Sequence, residues 1–184
     1  MNPLSNDVRT ECLFLARKTL HAHVRRQQAG DAYRPAHPEL ELPCGAFVTL
    51  KRGGELRGCI GYVEAVKPLW ETIADCTVSA ASHDPRFPPV APDELAAIII
   101  EISVLSPMRD VADPADIVVG RDGLLISTGF RRGLLLPQVA TEYGWDREEF
   151  LRHTCRKAGL PDDAWRKGAR IQAFTADVFG ESEA

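Results

Sequence analysis

One stretch of the chain decides the fold, because it predicts the hairpin on which the rest is built: Gly45-Ala46-Phe47-Val48-Thr49-Leu50-Lys51-Arg52-Gly53-Gly54-Glu55-Leu56-Arg57-Gly58-Cys59-Ile60-Gly61-Tyr62. The residues from Phe47 to Leu50 favour a strand, and the Gly53-Gly54 pair supplies the positive φ angles that a tight turn requires. The pattern predicts a β-hairpin with strands at 45–51 and 55–62.

Helical patterns lie on both sides of this hairpin. Apolar residues at helical spacing predict one helix over residues 6–28 and a second from Pro68 to about Ser82. Asp146 and Glu149 resemble a capping box and predict a helix at 147–158. The segment 29–43 contains three prolines and predicts a surface loop.

Further strand patterns follow in the second half of the chain. Residues 98–106 begin with three consecutive isoleucines, which predicts a strand buried on both faces and therefore central in a sheet. Other strands are predicted at 117–119, 123–128, 133–136 and 170–179. Because hairpins and separate helices alternate without a βαβ pattern, the sequence predicts an α+β fold with mainly antiparallel sheets and flanking helices.

Length and composition narrow the class of protein. With 184 residues, the chain predicts a single domain over 1–184, or two sub-lobes that share a core. Its longest apolar run, Leu95 to Ile100, is too short to span a membrane. The net charge of −4 disfavours nucleic-acid binding. The absence of a secretory pattern and of C-x-x-C spacing among five cysteines predicts a cytoplasmic protein with reduced thiols.

The first candidate site is the segment from Leu56 to Gly61. In an unbroken strand Arg57 and Cys59 would share a face, so the guanidinium would lower the pKa of the thiol and favour a nucleophilic thiolate. Gly58 and Gly61 would leave room for a ligand or for another backbone. The alternative is that Cys59 is a small buried residue and that the glycines mark a bulge in a packed sheet.

The second candidate site is the segment from His83 to Phe87, which Pro85 stiffens. His83 would act as a general base oriented by a carboxylate, and Arg86 would bind an anion. The alternative is that Asp84 caps the turn, that Arg86 pairs with it, and that His83 is a cation at a helix C-terminus.

Glu101 interrupts the isoleucine-rich strand, either as part of a structural ion pair or as a site carboxylate that faces Arg57 or Arg86. The segment from Gly129 to Gly133 is either an anion-binding turn or a solvated hairpin tip. Neither an H-E-x-x-H motif nor paired C-x-x-C motifs occur, so the sequence predicts no metal site and no cofactor.

Four motifs in this order resemble the AMMECR domain family, also called AmmeMemoRadiSam system protein A. They are Leu56-Arg57-Gly58-Cys59-Ile60-Gly61, Asp84-Pro85-Arg86-Phe87-Pro88-Pro89, Glu101-Ile102-Ser103-Val104-Leu105-Ser106 and Gly133-Leu134-Leu135-Leu136-Pro137-Gln138-Val139-Ala140. The resemblance spans about residues 7–180. It implies an α+β fold with two unequal lobes and a cleft between them, and it directs attention to seven motif positions: Arg57, Gly58, Cys59, Gly61, Asp84, Arg86 and Glu101.

The resemblance supplies no established reaction, so whether the chain is an enzyme stays open. It implies a ligand-binding or accessory component that acts with a Memo-like protein and a radical SAM enzyme and takes a small-molecule or peptide ligand. The alternative is an enzyme that uses Cys59 as thiolate nucleophile and His83 as base on an anionic small-molecule or peptide substrate. A further alternative is RNA binding through Arg121, Arg131 and Arg132, which the acidic balance disfavours. The oligomeric state stays open.

Overall fold

The computed structural model describes residues 3–26 and 33–182. Within these ranges the chain divides into two compact units. The large unit contains the residues up to Leu105 together with those from Asp177 onward, and the small unit is Ser106–Ala176. The small unit is therefore an insertion between two segments of the large one.

The described residues form an α+β fold, as the sequence predicts, with both sheets antiparallel. In chain order the helices and strands are α1 (Asn6–Val24), β1 (Ala46–Arg52), β2 (Glu55–Tyr62), α2 (Leu69–Ser82), β3 (Ile98–Leu105), β4 (Arg109–Asp110), β5 (Gly123–Thr128), β6 (Arg131–Leu135), α3 (Pro137–Glu142), α4 (Arg147–Lys157), β7 (Arg170–Phe174) and β8 (Ala176–Gly180).

In the large unit the strand order is β2-β1-β3-β8. The prediction that the isoleucine-rich strand is central is confirmed, since β3 has a neighbour on each side. Val48, Leu50, Ile100 and Ile102 are fully buried on one face of this sheet. These four side chains form one core with residues of α1 and α2. The apolar stripe of each helix follows the spacing that the sequence predicts.

In the small unit the strand order is β4-β7-β5-β6. The predicted capping box is confirmed, because Asp146 accepts a hydrogen bond from the Glu149 backbone N–H and Glu149 accepts one from that of Asp146. Phe150 and Leu151 of α4 are fully buried in a core with strand residues such as Ile126.

The first helix is shorter than predicted. The sequence predicts residues 6–28, whereas α1 ends at Val24. Residues 27–28 of that prediction, and residues 29–32 of the predicted loop, lie outside the described residues. The part of the predicted loop that is described contains one turn of 3-10 helix at Pro38–Glu41.

The predicted strand over 170–179 is two strands in different sheets, β7 in the small unit and β8 in the large one. Between them, Thr175 binds Ser106, since its carbonyl accepts the Ser106 backbone N–H at 2.8 Å. Alternating side chains along the sequence cannot reveal that a chain leaves one sheet and enters another.

The predicted strand at 117–119 is wrong: residues 117 and 118 have no regular secondary structure, and a turn begins at Val119. The buried Asp122 carboxylate accepts the Val118 backbone N–H at 2.9 Å, and the Val118 carbonyl accepts the Asp122 N–H at 2.9 Å. These bonds close the turn and leave Val118 no backbone donor for a neighbouring strand.

None of the helices within residues 3–26 and 33–182 combines the length and the hydropathy that a bilayer crossing needs.

Candidate functional site

A β-bulge interrupts β2 at Arg57. Leu50 of β1 pairs with Gly58, but the next residue, Lys51, pairs with Leu56. Arg57 is therefore the extra residue of the bulge and has no partner in β1. The unbroken strand that would place Arg57 and Cys59 on one face is not present.

The bulge decides the face on which Cys59 lies. Cys59 pairs with Thr49, and Thr49 pairs with Glu101 of β3. Residues directly opposite one another in a sheet share a face, so these three side chains lie opposite the buried Val48 face. The Thr49 hydroxyl donates a hydrogen bond to the Cys59 sulfur at 3.2 Å. The thiol is consequently half-buried on the more open face of the sheet.

The Asp84 carboxylate joins the second candidate segment to β2. Its Oδ2 accepts the Cys59 backbone N–H at 2.9 Å, and its Oδ1 accepts the Arg86 backbone N–H at 3.1 Å. The Arg86 guanidinium donates to both oxygens, from Nε at 2.9 Å and from Nη2 at 2.6 Å. Asp84 is only 4% exposed. The bonds from Arg86 hold the pKa of this carboxyl well below its usual range.

Arg86 remains exposed although its position is fixed. Its Nη2 also donates weakly to the Cys59 carbonyl at 3.4 Å, and its Cζ lies 5.5 Å from the centre of the Phe87 ring. The side chain is nevertheless 54% exposed. Its Nη1 has no hydrogen-bond partner in residues 3–26 or 33–182. We call Cys59, Asp84 and Arg86 the Cys59 cluster.

Arg57 does not take part in this cluster, which corrects the expectation that it activates the thiol. Its Nε and Nη2 each donate at 2.8 Å to the Glu94 carboxylate, and its Nη1 donates to the Pro88 carbonyl at 2.9 Å. Arg52 donates to the same carboxylate at 3.0 Å. The hydrogen bonds from Arg57 lower the pKa of Glu94 to about 2. Arg57 therefore ties the bulge to Pro88 and to Glu94, which lies in the 3-10 helix Pro92–Ala97.

Glu94, the partner of Arg57, is not predicted by any of the sequence motifs. Its one local signal is the short turn that Asp93-Glu94 opens, where the Glu94 carboxylate accepts the Ala91 backbone N–H at 2.9 Å. That signal indicates a cap, and it carries no information about an arginine far away in the sequence.

Packing explains both glycines of the motif. A Cβ on Gly58 would lie 2.2 Å from the Ala80 carbonyl oxygen of α2. A Cβ on Gly61 would lie 2.2 Å from the Phe47 ring. The predicted close approach of another backbone accounts for Gly58, whereas Gly61 makes room for the Phe47 ring. The alternative, a bulge in a packed sheet, is also found beside Gly58.

Glu101 pairs with Lys51 at 2.8 Å and with neither Arg57 nor Arg86. Of the two roles weighed for Glu101, this is the structural ion pair. His83 ends α2, where its backbone N–H donates to the Ser79 carbonyl at 2.7 Å. The predicted role of His83 as a base stays a prediction.

Burial raises the pKa of the Cys59 thiol. The Thr49 hydrogen bond and the positive charge of Arg86 oppose this effect, and the charges of Asp84 and Glu101 add to it. The expected lowering of this pKa is therefore wrong, because the thiol is desolvated and its expected cationic neighbour, Arg57, binds Glu94.

We predict that iodoacetamide labels Cys59 in the folded protein with a midpoint above pH 9, because the pKa is raised from the ordinary value of 9.0. The measurement is the labelling rate against pH by mass spectrometry, with Cys59→Ser to assign the signal. Arg86→Gln should move the midpoint upward, since it removes a charge that favours the thiolate. A midpoint below that of the unfolded chain would contradict the prediction.

No group of three or more His, Cys, Asp or Glu side chains in the described parts of the chain is arranged to hold a metal ion.

The chain is thus an α+β protein whose candidate site contains an exposed arginine. A buried carboxylate holds this arginine against an edge strand. The chain matches the AMMECR1 family over residues 13–179 and belongs to that family.

Its relatives include archaeal proteins of similar length. A protein of Methanothermobacter thermautotrophicus is 46% identical, with 97% of each chain covered. Protein MJ0810 of Methanocaldococcus jannaschii is 50% identical over 76% of this chain and 74% of its own. The crystal structure of PH0010, described as an uncharacterized protein of Pyrococcus horikoshii, has a TM-score of 0.87 and 40% identity and covers 93% of this chain and 90% of its own.

Proposed function

We propose that this chain is a ligand-binding accessory component that acts with a Memo-like protein and a radical SAM enzyme. The Cys59 cluster would hold an anionic group of a small-molecule or peptide ligand. The observation that carries this proposal is the state of Arg86, which Asp84 fixes in place while its Nη1 remains without a partner among the described residues.

A guanidinium held in this way suits anion recognition. The bidentate bond to Asp84 uses Nε and Nη2, so the guanidinium plane is set before a ligand arrives. The remaining N–H groups of Nη1 can donate to a carboxylate or phosphate oxygen. Because the side chain is already ordered, binding would lose less conformational entropy than binding to a mobile arginine.

The same geometry makes a Cys-dependent enzyme the weaker candidate. A thiol nucleophile needs a lowered pKa or an adjacent base, whereas burial raises the pKa of Cys59. RNA binding is also disfavoured. Arg121 forms a fork with Asp122, and Arg131 donates to the Gly159 carbonyl at 3.1 Å.

The partners are proposed from the family resemblance, and their binding to this chain can be tested directly. The tagged chain would be co-expressed with the Memo-like protein and the radical SAM enzyme of the same organism, and affinity purification would be followed by measurement of the dissociation constants. We expect at least one of the two proteins to be retained. We expect Arg86→Gln to weaken that complex about tenfold, the loss of one charge-assisted hydrogen bond.

The matched control is Arg52→Gln, which removes an arginine of similar exposure that binds Glu94. This variant should leave the complex unchanged. Thermal unfolding of both variants establishes that they are folded at the temperature used. Retention of neither protein, or equal weakening by both variants, would overturn the proposal.

A further inference from the structure

A pocket of about 830 Å³ lies in the large unit at the C-terminal ends of α1 and α2. Its apolar lining includes Val24, Ala81 and Val90. None of the three residues of the Cys59 cluster lines it. Its volume is in the range of about 300–1,000 Å³ that is typical of small-molecule sites.

A histidine-serine pair joins the two helices at this pocket. His23 Nε2 lies 3.0 Å from Ser82 Oγ, and the Ser82 hydroxyl donates to the Val78 carbonyl at 2.8 Å. Which of the two groups donates in this pair depends on the tautomer of His23. The contact holds the imidazole in one orientation at the pocket wall.

Two arginines at the end of α1 give the pocket its charge. Arg25 and Arg26 line it, and their side chains have no hydrogen bond or ion pair with any described residue. Arg17 on the same helix differs, because it binds Glu181 and two backbone carbonyls. Among the described residues that line the pocket there is no aspartate or glutamate.

The backbone at this helix end is also specialised. Arg26 has φ of +52°, a left-handed conformation that residues other than glycine rarely adopt. The Arg25 N–H donates to the His21 carbonyl, and the Arg26 N–H donates to the His23 carbonyl, each at 3.1 Å. These bonds satisfy two of the last four carbonyls of α1.

We propose that this pocket binds a small amphiphilic carboxylate. The guanidinium groups of Arg25 and Arg26 bind the carboxylate, and the surface around Val24, Ala81 and Val90 accepts the apolar body. Arginine is suited to this role because its planar fork matches the two oxygens of a carboxylate.

The pocket shares one loop with the Cys59 cluster but none of its side chains. The Val90 backbone N–H donates to the Ala81 carbonyl at 2.8 Å, which fixes the pocket side of the loop. On the other side, Arg57 binds the Pro88 and Pro89 carbonyls. The two proposals can therefore fail independently.

The test uses octanoate as the probe, with isothermal titration calorimetry on the full chain at low ionic strength. Octylammonium and 1-octanol have the same apolar chain and serve as the cationic and neutral comparisons. We expect octanoate to bind with a stoichiometry of one and the two comparisons to bind at least tenfold more weakly. The double variant Arg25→Gln/Arg26→Gln should reduce octanoate affinity at least tenfold.

The matched control is Lys18→Gln, which removes an exposed positive charge from the same helix away from the pocket. This variant and Arg86→Gln should retain octanoate binding. Equal binding of 1-octanol, equal loss in Lys18→Gln, or no binding of octanoate would overturn the proposal. If Arg86→Gln loses the protein complex but still binds octanoate, the result supports the role of the Cys59 cluster and leaves the pocket proposal unaffected.

Discussion

Gly58→Ala is expected to lower the free energy of unfolding by about 3 kcal/mol or more, at or beyond the upper end of typical overpacking effects. The added Cβ would lie 2.2 Å from the Ala80 carbonyl oxygen and 3.2 Å from its carbon. Both atoms belong to the backbone of α2, so no side chain can rotate away. The helix and β2 must separate, and the core between them loses contacts. Urea unfolding followed by circular dichroism measures the change.

Gly53→Ala is the control for this substitution. Gly53 lies in the hairpin turn with φ of +56°, and a Cβ there meets nothing within 4 Å. The only penalty is the left-handed conformation, about 1 kcal/mol. If Gly58→Ala were no more destabilising than Gly53→Ala, the close approach of α2 to β2 would be refuted.

Asp84→Ala is expected to lower the free energy of unfolding by about 3 kcal/mol, because it leaves buried donors without an acceptor. The backbone N–H groups of Cys59 and Arg86 both bind this carboxylate, as does the Arg86 guanidinium. The backbone donors dominate the effect, since the guanidinium is half-exposed and water partly replaces its lost partner. Cys59 would also lose the contact that fixes it against the polar loop.

The effect of Asp84 depends on pH in a defined direction. Its pKa in the folded protein lies well below the ordinary value of 3.8. The stabilisation is therefore complete above the unfolded pKa and is lost as the pH falls towards the folded one. The difference in unfolding free energy between wild type and Asp84→Asn should shrink when the pH is lowered from 7 to 3, below about the ordinary aspartate pKa.

Asp75→Asn is the control for both Asp84 variants. Asp75 pairs with Lys67 at the surface, where its side chain is 51% exposed. Exposed ion pairs contribute about 0–1 kcal/mol, so this variant should be nearly neutral. A similar small change in Asp84→Ala would show that the Cys59 cluster is not held together by its buried carboxylate.

Local patterns predicted much of the secondary structure. The Gly53-Gly54 turn, the isoleucine run of β3 and the capping box of α4 each act over a few residues, and each was confirmed. Asp84 and Arg86 are only two positions apart in the sequence, so their pairing was one of the two predicted alternatives. These features depend on propensity and short-range hydrogen bonds, which a sequence displays directly.

The partners of distant residues could not be predicted in the same way. Arg57 binds Glu94 and Glu101 binds Lys51, and no periodicity relates the positions within either pair. The division of 170–179 between two sheets likewise depends on pairing with strands far away in the chain.

Cys59 shows most clearly which properties of a residue the sequence predicts and which depend on the tertiary structure. Counting symmetrically from the Gly53-Gly54 turn places Cys59 opposite Val48, whose side chain is in the core. The bulge at Arg57 shifts the register by one residue, so Cys59 lies opposite Thr49 on the other face. By itself the sequence determined a hairpin, its turn and a thiol in its second strand. Only the tertiary structure decided the face of that thiol, because side chains alternate with a period of two and one extra residue exchanges the faces.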